Sequence, residues 1–299
     1  MLLSEDEVRQ HLPWERLIPA IERALADLSA GRVVQPMRVV LPVGDHGGFF
    51  GVMPAYAGAL GAKLVTFYPD NRGLPTHHAL IALFRPETGE PLAVMDGRLI
   101  TEMRTAAASA AATKTLARAN VSTLGILGSG VQARSHLEAL QQARSFRDVR
   151  LYSPHGAARV AAELGVRAAA TAEEAVRGAD LVVVATTSRT PVLLGEWLSP
   201  GAHVNAVGAT RPDWRELDDE ALRRARIFVD SREAASKESG DVIAALAAGA
   251  EVAEVGEVFG GVRSGRRSAD EITLFKSVGV AVEDVAAAAI VLEEASRER

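Results

Sequence analysis

Cysteine is absent from the 299 residues, which excludes disulfides, thiolate catalysis and cysteine-held metal sites. The seven histidines show no ligand spacing such as His-x-x-x-His, so no metal is expected. Basic charge is not in excess. The net charge is −5 and the pI near 5.9, and nothing draws the chain to nucleic acid. No run of about 18 uncharged apolar residues occurs, so no membrane span is expected. The opening Met1-Leu-Leu-Ser-Glu-Asp-Glu7 lacks the basic start and apolar run of a signal peptide, and a cytoplasmic protein is expected. Lysine is scarce: of 33 basic residues, only Lys63, Lys114, Lys237 and Lys276 are lysine. What is abundant is apolar sequence, at 48%. That is enough for a large core, and the length suggests two domains.

One stretch organises the rest. Residues 124–127, Leu-Gly-Ile-Leu, are uncharged and precede a glycine turn, as a strand buried on both faces does. After the turn, Val131, Ala133, Leu137, Ala139 and Leu140 fall at spacings that form an apolar helical stripe. Between them stands Gly128-Ser-Gly130-Val-Gln-Ala133. The first glycine permits a tight turn, the second lets a pyrophosphate approach the backbone, and the small third residue lets helix and strand pack closely. Phosphate would lie at the helix N-terminus, where free N–H groups and the dipole favour anions. Strand before and helix after make this a dinucleotide-binding signal.

Ser4 and Glu7 form a capping box for a helix over 5–11, and a second helix over 13–30 stops at Gly31. Runs at 39–42, 48–53, 62–68, 78–84 and 91–96 read as strands of a mostly antiparallel sheet, with a hairpin turn at 86–89. An alanine-rich helix over 101–114 follows, with Thr101 as its expected N-cap. Beyond the glycine turn, strands at 149–153, 179–185, 203–208 and 226–230 alternate with helical stretches, which implies a parallel doubly wound sheet. Residues 260–268 read as a flexible loop and 277–299 as a long C-terminal helix.

The end of the second strand of the parallel sheet decides the cofactor. An NAD site offers an acid about 20 residues after the glycines to hold the ribose 2′-OH. Here the chain reads Tyr152-Ser153-Pro154-His155, with Arg159 one turn on. A carboxylate would repel a 2′-phosphate, whereas serine, histidine and arginine accept one. NADP(H) is therefore favoured over NAD(H). The alternative is that His155 and Arg159 only form a solvated face.

Arg38, Lys63 and Arg104 are basic residues set in apolar or small surroundings. Such charges are costly inside a protein unless paired or bound to an anion. A substrate carboxylate is the natural counter-ion, and arginine can hold it bidentately; an internal salt bridge is the plainer alternative. Lys237-Glu-Ser-Gly-Asp241 is either a helix cap or an acidic lip over a substrate. The pair His77-His78 after Pro75-Thr76 is a packing feature or a contact with the cofactor.

Longer segments carry a resemblance. They are Gln35-Pro-Met-Arg38, Gly51-Val-Met-Pro-Ala-Tyr56, Lys63-Leu-Val-Thr-Phe-Tyr68, Leu92-Ala-Val-Met-Asp-Gly97, Arg104-Thr-Ala-Ala107, the run from Gly201 to Glu220, Lys237-Glu-Ser-Gly-Asp-Val242 and Phe275-Lys-Ser277. With them the chain resembles the ornithine cyclodeaminase/mu-crystallin family over nearly its whole length, and within it the mu-crystallin, or ketimine-reductase, branch. The resemblance implies a Rossmann-type parallel sheet, over 119–275, inserted in an α+β substrate and dimerisation domain made of 1–118 and completed by 276–299. It implies a homodimer paired through the antiparallel sheets. By the same likeness Arg38, Lys63 and Arg104 hold the substrate carboxylate and Glu238 touches the ligand. Thr76, His77, Arg104, Gly128, Ser129, Gly130, Val131, Gln132, Ser153, His155, Thr186, Thr187, Val207 and Ser277 fall at the cofactor, with Arg159 added from the 2′-phosphate argument.

Two departures carry information. Thr210, in Val207-Gly-Ala-Thr, stands beside the substrate where the family's cyclodeaminases carry an acid–base aspartate, which argues against net amine elimination. Ser153-Pro154-His155 replaces the Asn-Arg-Thr of the mu-crystallin branch. The expected activity is NAD(P)H-dependent reduction of cyclic ketimine carboxylates, of pyrroline- or piperideine-2-carboxylate type, to cyclic L-amino acids. The catalytic residues would be Lys63, Arg104 and Glu238. Lys63 would supply or relay the proton, with Glu238 and a water as the competing source. Alternatives are an alanine dehydrogenase, an ornithine cyclodeaminase, or a non-enzymatic NADPH-dependent protein that binds a small ligand.

Overall fold

The computed structural model describes residues 1–298. The chain divides into two compact units, residues 1–104 with 279–299 and residues 105–278. The sequence reading places these divisions at 118/119 and 275/276. The first lies instead inside the helix Arg98–Leu116 and the second just beyond the last strand.

The first unit holds six strands: β1 (Leu2–Leu3), β2 (Val39–Val43), β3 (Gly48–Ala57), β4 (Ala59–Phe67), β5 (His77–Phe84) and β6 (Pro91–Asp96). They lie in the order β1-β6-β5-β4-β3-β2. All neighbours are antiparallel except β1 with β6. Side chains alternate between faces along each strand. One cross-strand row is Met53, Lys63, Ile81 and Met95, all buried. This face is covered by the C-terminal helix Ala281–Arg297, whose Val285 lies against Gly61. The opposite face carries Val52, Leu64 and Leu80 in register, with Leu64 39% and Leu80 52% exposed. The helix Trp14–Ser29 packs on the C-terminal helix.

Local signals at the start of the chain hold. Ser4 and Glu7 form the reciprocal capping box of the helix Glu5–Gln10, and Gly31 is left-handed (φ 71°). Thr101 is not an N-cap. The helix begins at Arg98, the Asp96 carboxylate accepts the amide of Leu99 (3.0 Å), and the Thr101 hydroxyl donates back to the Gly97 carbonyl. An aspartate one turn earlier supplies the capping oxygen and leaves threonine inside.

The second unit holds β7 (Thr123–Leu127), β8 (Asp148–Tyr152), β9 (Arg167–Ala168), β10 (Leu181–Val184), β11 (His203–Ala206), β12 (Ala225–Val229), β13 (Val252–Glu254) and β14 (Ile272–Lys276). All are parallel, in the order β13-β12-β14-β11-β10-β7-β8-β9. After β8 and β9 the chain returns to the other side of β7, so the strand order reverses between β7 and β10. Three strands, β9, β13 and β14, are absent from the sequence reading. The loop at 260–268 is not loose as expected. Arg263 pairs with Glu251 and Glu257, and Arg266 donates to the carbonyls of Leu116, Ala202 and Glu271. The C-terminal helix starts at Ala281 rather than 277, because 277–280 form an extended link with Gly279 at φ 75°. The last residue of the expected helix, Arg299, lies outside the described residues.

Candidate active site

In the first unit the basic residues converge. Lys63 projects from the middle of β4 into the apolar row between Met53 and Ile81 and is 2% exposed. Its ammonium lies 2.7 Å from the carboxylate of Asp284 and 3.3 Å from the Thr101 hydroxyl. Arg104 is buried on the helix Arg98–Leu116. It donates through Nε to Asp284 (3.0 Å) and through Nη1 to Glu283 (2.8 Å). Arg38 precedes β2 and donates to the carbonyl of Gly279. Gly279 in turn supports Arg104, since a Cβ there would lie 2.5 Å from Arg104 Nη1.

Three cations thus meet two carboxylates, all held by elements of one unit. Burial pulls the Lys63 ammonium down to about 8, Asp284 resists, and the neighbouring charges of Arg104 and Arg38 add to the fall. For Asp284, burial works upward, but Lys63 and Arg104 outweigh it and hold the carboxyl below its usual range. Glu283 and Asp284 are the residues that sequence reasoning missed. Their signal is two adjacent acids in a segment otherwise apolar from 278 to 292. The plainer alternative, an internal salt bridge, is therefore realised for Lys63 and Arg104.

Thr76 and His77 lie at the start of β5. The Thr76 hydroxyl is 3.2 Å from His77 Nδ1, and the His77 ring stacks on Phe67 with centroids 4.5 Å apart.

In the second unit the expected cofactor residues fall at the carboxyl ends of parallel strands, where open α/β sheets bind ligands. Gly128 follows β7 with φ 125°. Its amide donates to the Tyr152 carbonyl (2.8 Å), and a Cβ there would meet the Ala185 carbonyl at 2.3 Å. Only glycine fits. Gly130 caps the helix Val131–Gln141 without a side-chain cap, and a Cβ there would meet nothing within 4 Å. The turn therefore offers free helix N–H groups beside open space, which fits a pyrophosphate. The Ser129 hydroxyl donates to the carbonyl of His155 and so ties the glycine turn to the loop after β8. In that loop Ser153 is half-buried and His155 exposed, and no acid is present. Arg159 lies beside Gly156 and pairs with Glu163 at 2.6 Å. Thr186 and Thr187 follow β10, Val207 and Thr210 follow β11, and Ser277 follows β14. Thr187 and Thr210 are exposed, while the hydroxyl of Ser277 donates to buried Asp230 (2.9 Å).

The segment 237–241 separates into parts. Ser239 caps the helix Gly240–Ala247, Lys237 pairs with Glu233 at the surface, and Asp241 is fully buried. Glu238 is half-buried at the end of the helix Arg232–Glu238. No group of acids and histidines that could hold a metal occurs among the described residues, and no described helix is long and apolar enough to cross a membrane.

Known proteins resemble this chain in sequence and fold. The model of the ornithine cyclodeaminase/mu-crystallin family matches residues 1–299. The ketimine reductase mu-crystallin of Mus musculus is 50% identical over 305 residues, covering 97% of this chain and 96% of that protein. Among solved structures, the Thermococcus litoralis Δ1-pyrroline-2-carboxylate reductase in complex with NADH and L-proline superposes with a TM-score of 0.94. It has 40% identity, with 100% of this chain and 98% of that one covered. A dimeric archaeal alanine dehydrogenase with bound NAD gives a TM-score of 0.93 at 38% identity, covering 100% and 96%.

Proposed function

The chain belongs to the ornithine cyclodeaminase/mu-crystallin family, and from that premise we propose that it is an NAD(P)H-dependent reductase of cyclic ketimine carboxylates that yields cyclic L-amino acids. The observation that carries the proposal is the convergence of buried Lys63 and Arg104 and half-buried Arg38 beside Asp284, Glu283 and Gly279. It brings three cations to one place, suited to a substrate carboxylate, with a lysine ammonium that burial pulls down to about 8.

Reduction of a C=N bond adds a hydride to carbon and a proton to nitrogen. The nicotinamide, when bound, supplies the hydride. Arg38 and Arg104 hold the carboxylate and fix which way the imine carbon faces; such positioning lowers a barrier by several kcal/mol, up to about 7–11 in the best cases. Lys63 holds the proton. An ordinary lysine binds its proton too tightly to be an efficient donor, and an ammonium brought to about 8 by burial transfers it more readily. Asp284 keeps Lys63 oriented. Glu238 remains the competing proton source, through a water.

The turn Gly128–Gly130 and the first turn of the helix Val131–Gln141 would hold the pyrophosphate. Ser153, His155 and Arg159 support a preference for NADP(H), since no carboxylate stands there to repel a 2′-phosphate. The Arg159–Glu163 pair is exposed and screened by solvent, so it is no obstacle. The exposed apolar face of the antiparallel sheet supports a homodimer, and we place the enzyme in the cytoplasm, where reduced nicotinamide nucleotides are available.

The likeness to an alanine dehydrogenase favours a second reading, reductive amination of pyruvate. Thr210 provides no carboxylate to act on a departing amine, which disfavours cyclodeamination. The test is a panel of pyrroline-2-carboxylate, piperideine-2-carboxylate and pyruvate with ammonia, each assayed with NADPH and NADH. Turnover confined to pyruvate would replace the proposal, and nucleotide binding without any oxidation would leave only a binding protein.

A further inference from the structure

The second fully buried lysine, Lys276, has no part in the chemistry above. It ends β14, an interior strand of the parallel sheet, with no exposed surface. Its ammonium donates to the carbonyl of Gly208 and lies 3.5 Å from the carboxylates of both Glu216 and Asp241. Arg215, 3.7 Å from Asp241, completes a set of two cations and two anions. Each carboxylate also holds backbone. Glu216 accepts the amide and hydroxyl of Thr186 at 2.7 and 2.8 Å. Asp241 accepts the amides of Glu216 and Leu217.

What this network surrounds is unusual. Ala209, directly after Gly208, is the only non-glycine residue with positive φ (48°) among the described residues, and it is buried. A left-handed alanine costs about 1–2 kcal/mol and persists only where its surroundings over-determine it. Gly208 shows how closely they do, since a Cβ on it would lie 2.1 Å from the Thr186 carbonyl and 2.3 Å from the Glu216 carboxylate. Thr210 is the next residue.

We propose that Lys276 is a positioning residue: by holding the Gly208 carbonyl it imposes the left-handed turn at Ala209 and so fixes Val207 and Thr210 at the mouth of the parallel sheet. The network also locks the two segments after β10 and β11 to each other, through Glu216 on Thr186. The kinetic consequence rests on the reading of function above; the structural consequence does not.

The main variant is Lys276→Met with Glu216→Gln. It leaves Asp241 paired with Arg215, so no buried carboxylate loses its only cation, and the amide oxygen can still accept from Thr186. In the full-length protein, below its melting temperature, amide exchange in the peptide spanning 203–216 is expected to quicken at least tenfold while exchange in β7 and β10 stays unchanged. The turnover number is expected to fall at least tenfold and NADPH affinity from fluorescence titration at least threefold, since the segments that carry Val207 and Thr186 lose their anchor.

A cycle with Ala209→Gly isolates the clamp. Glycine at 209 should raise the melting temperature of the wild-type chain, because it removes the strain. It should have no effect in the Lys276→Met/Glu216→Gln chain, where Ala209 has relaxed. Unchanged exchange at 203–216, or equal effects of Ala209→Gly in both backgrounds, overturns the proposal. If the wild-type chain reduces no imine, the functional reading fails, and the exchange and melting measurements still decide whether Lys276 clamps the turn.

Discussion

Gly279 lies against the guanidinium of Arg104 at a distance no side chain could occupy, with backbone that no other residue adopts cheaply. Its carbonyl meanwhile receives Arg38. One residue without a side chain therefore sets two of the three cations. Gly279→Ala forces Arg104 away from Glu283 and adds about 1–3 kcal/mol of backbone strain. We expect kcat/KM for the imino acid to fall more than tenfold, through both parameters, in a chain that still binds nucleotide. Arg104→Ala should raise KM steeply and lower kcat as well. It should also destabilise the fold by about 3–5 kcal/mol, because Glu283 and Asp284 lose a buried partner. Near-normal steady-state kinetics for both variants would remove Arg104 from the site.

Lys63 makes a prediction about pH. Its ammonium is protonated below about 8 and loses the proton above it. A proton donor works only in the first form, so kcat/KM should be level below that value and fall tenfold per pH unit above it. Lys63→Met should lower kcat by about 10²- to 10⁴-fold and abolish the alkaline limb. A profile with the same limb in the variant would assign the proton to another group, Glu238 and its water first.

The nucleotide preference is tested at Ser153. An aspartate there places a negative charge where a 2′-phosphate would lie, while it offers an acceptor to a free 2′-hydroxyl. We expect Ser153→Asp to lower kcat/KM with NADPH at least tenfold and to raise it with NADH. A wild-type chain that already prefers NADH would overturn the assignment of Ser153, His155 and Arg159.

The apolar row Val52, Leu64 and Leu80 crosses three strands on the uncovered side of the antiparallel sheet. Leu80→Arg puts a charge in its middle at a site 52% exposed within the protomer. We expect sedimentation to show a dimer for the wild-type chain and a monomer for the variant, with far-ultraviolet circular dichroism unchanged. A monomeric wild-type chain would contradict the pairing.

The parts legible in the sequence were those written in local code. Gly128, Gly130 and Ala133 announce a turn that only glycine can make at its start, and the strands around it alternate with helices at fixed spacing. Ser4 with Glu7 marks a helix start in the same way. Thr101 misled because Asp96 caps the helix from outside the alanine-rich run. Strand β14 was invisible for a related reason: a short stretch ending in lysine does not read as an interior strand of a sheet, and what neutralises Lys276 lies at Glu216 and Asp241. Of the site, Arg38, Lys63 and Arg104 were visible as charges out of place. Their counter-ions Glu283 and Asp284 were not, because they sit at the other end of the chain, far in sequence from the cations they pair with.

That last placement has a bearing on recombination. A chimera between relatives that exchanged the nucleotide-binding block would need its second junction near 276–279, where Lys276, Ser277 and Gly279 are each committed to a partner. A crossover a few positions too early or too late imports a foreign clamp or breaks the seat of Arg104. The safer crossover falls between Val278 and Gly279, so that Lys276 and Ser277 travel with Gly208, Glu216, Asp230 and Asp241 while Gly279, Glu283 and Asp284 stay with Arg38, Lys63 and Arg104.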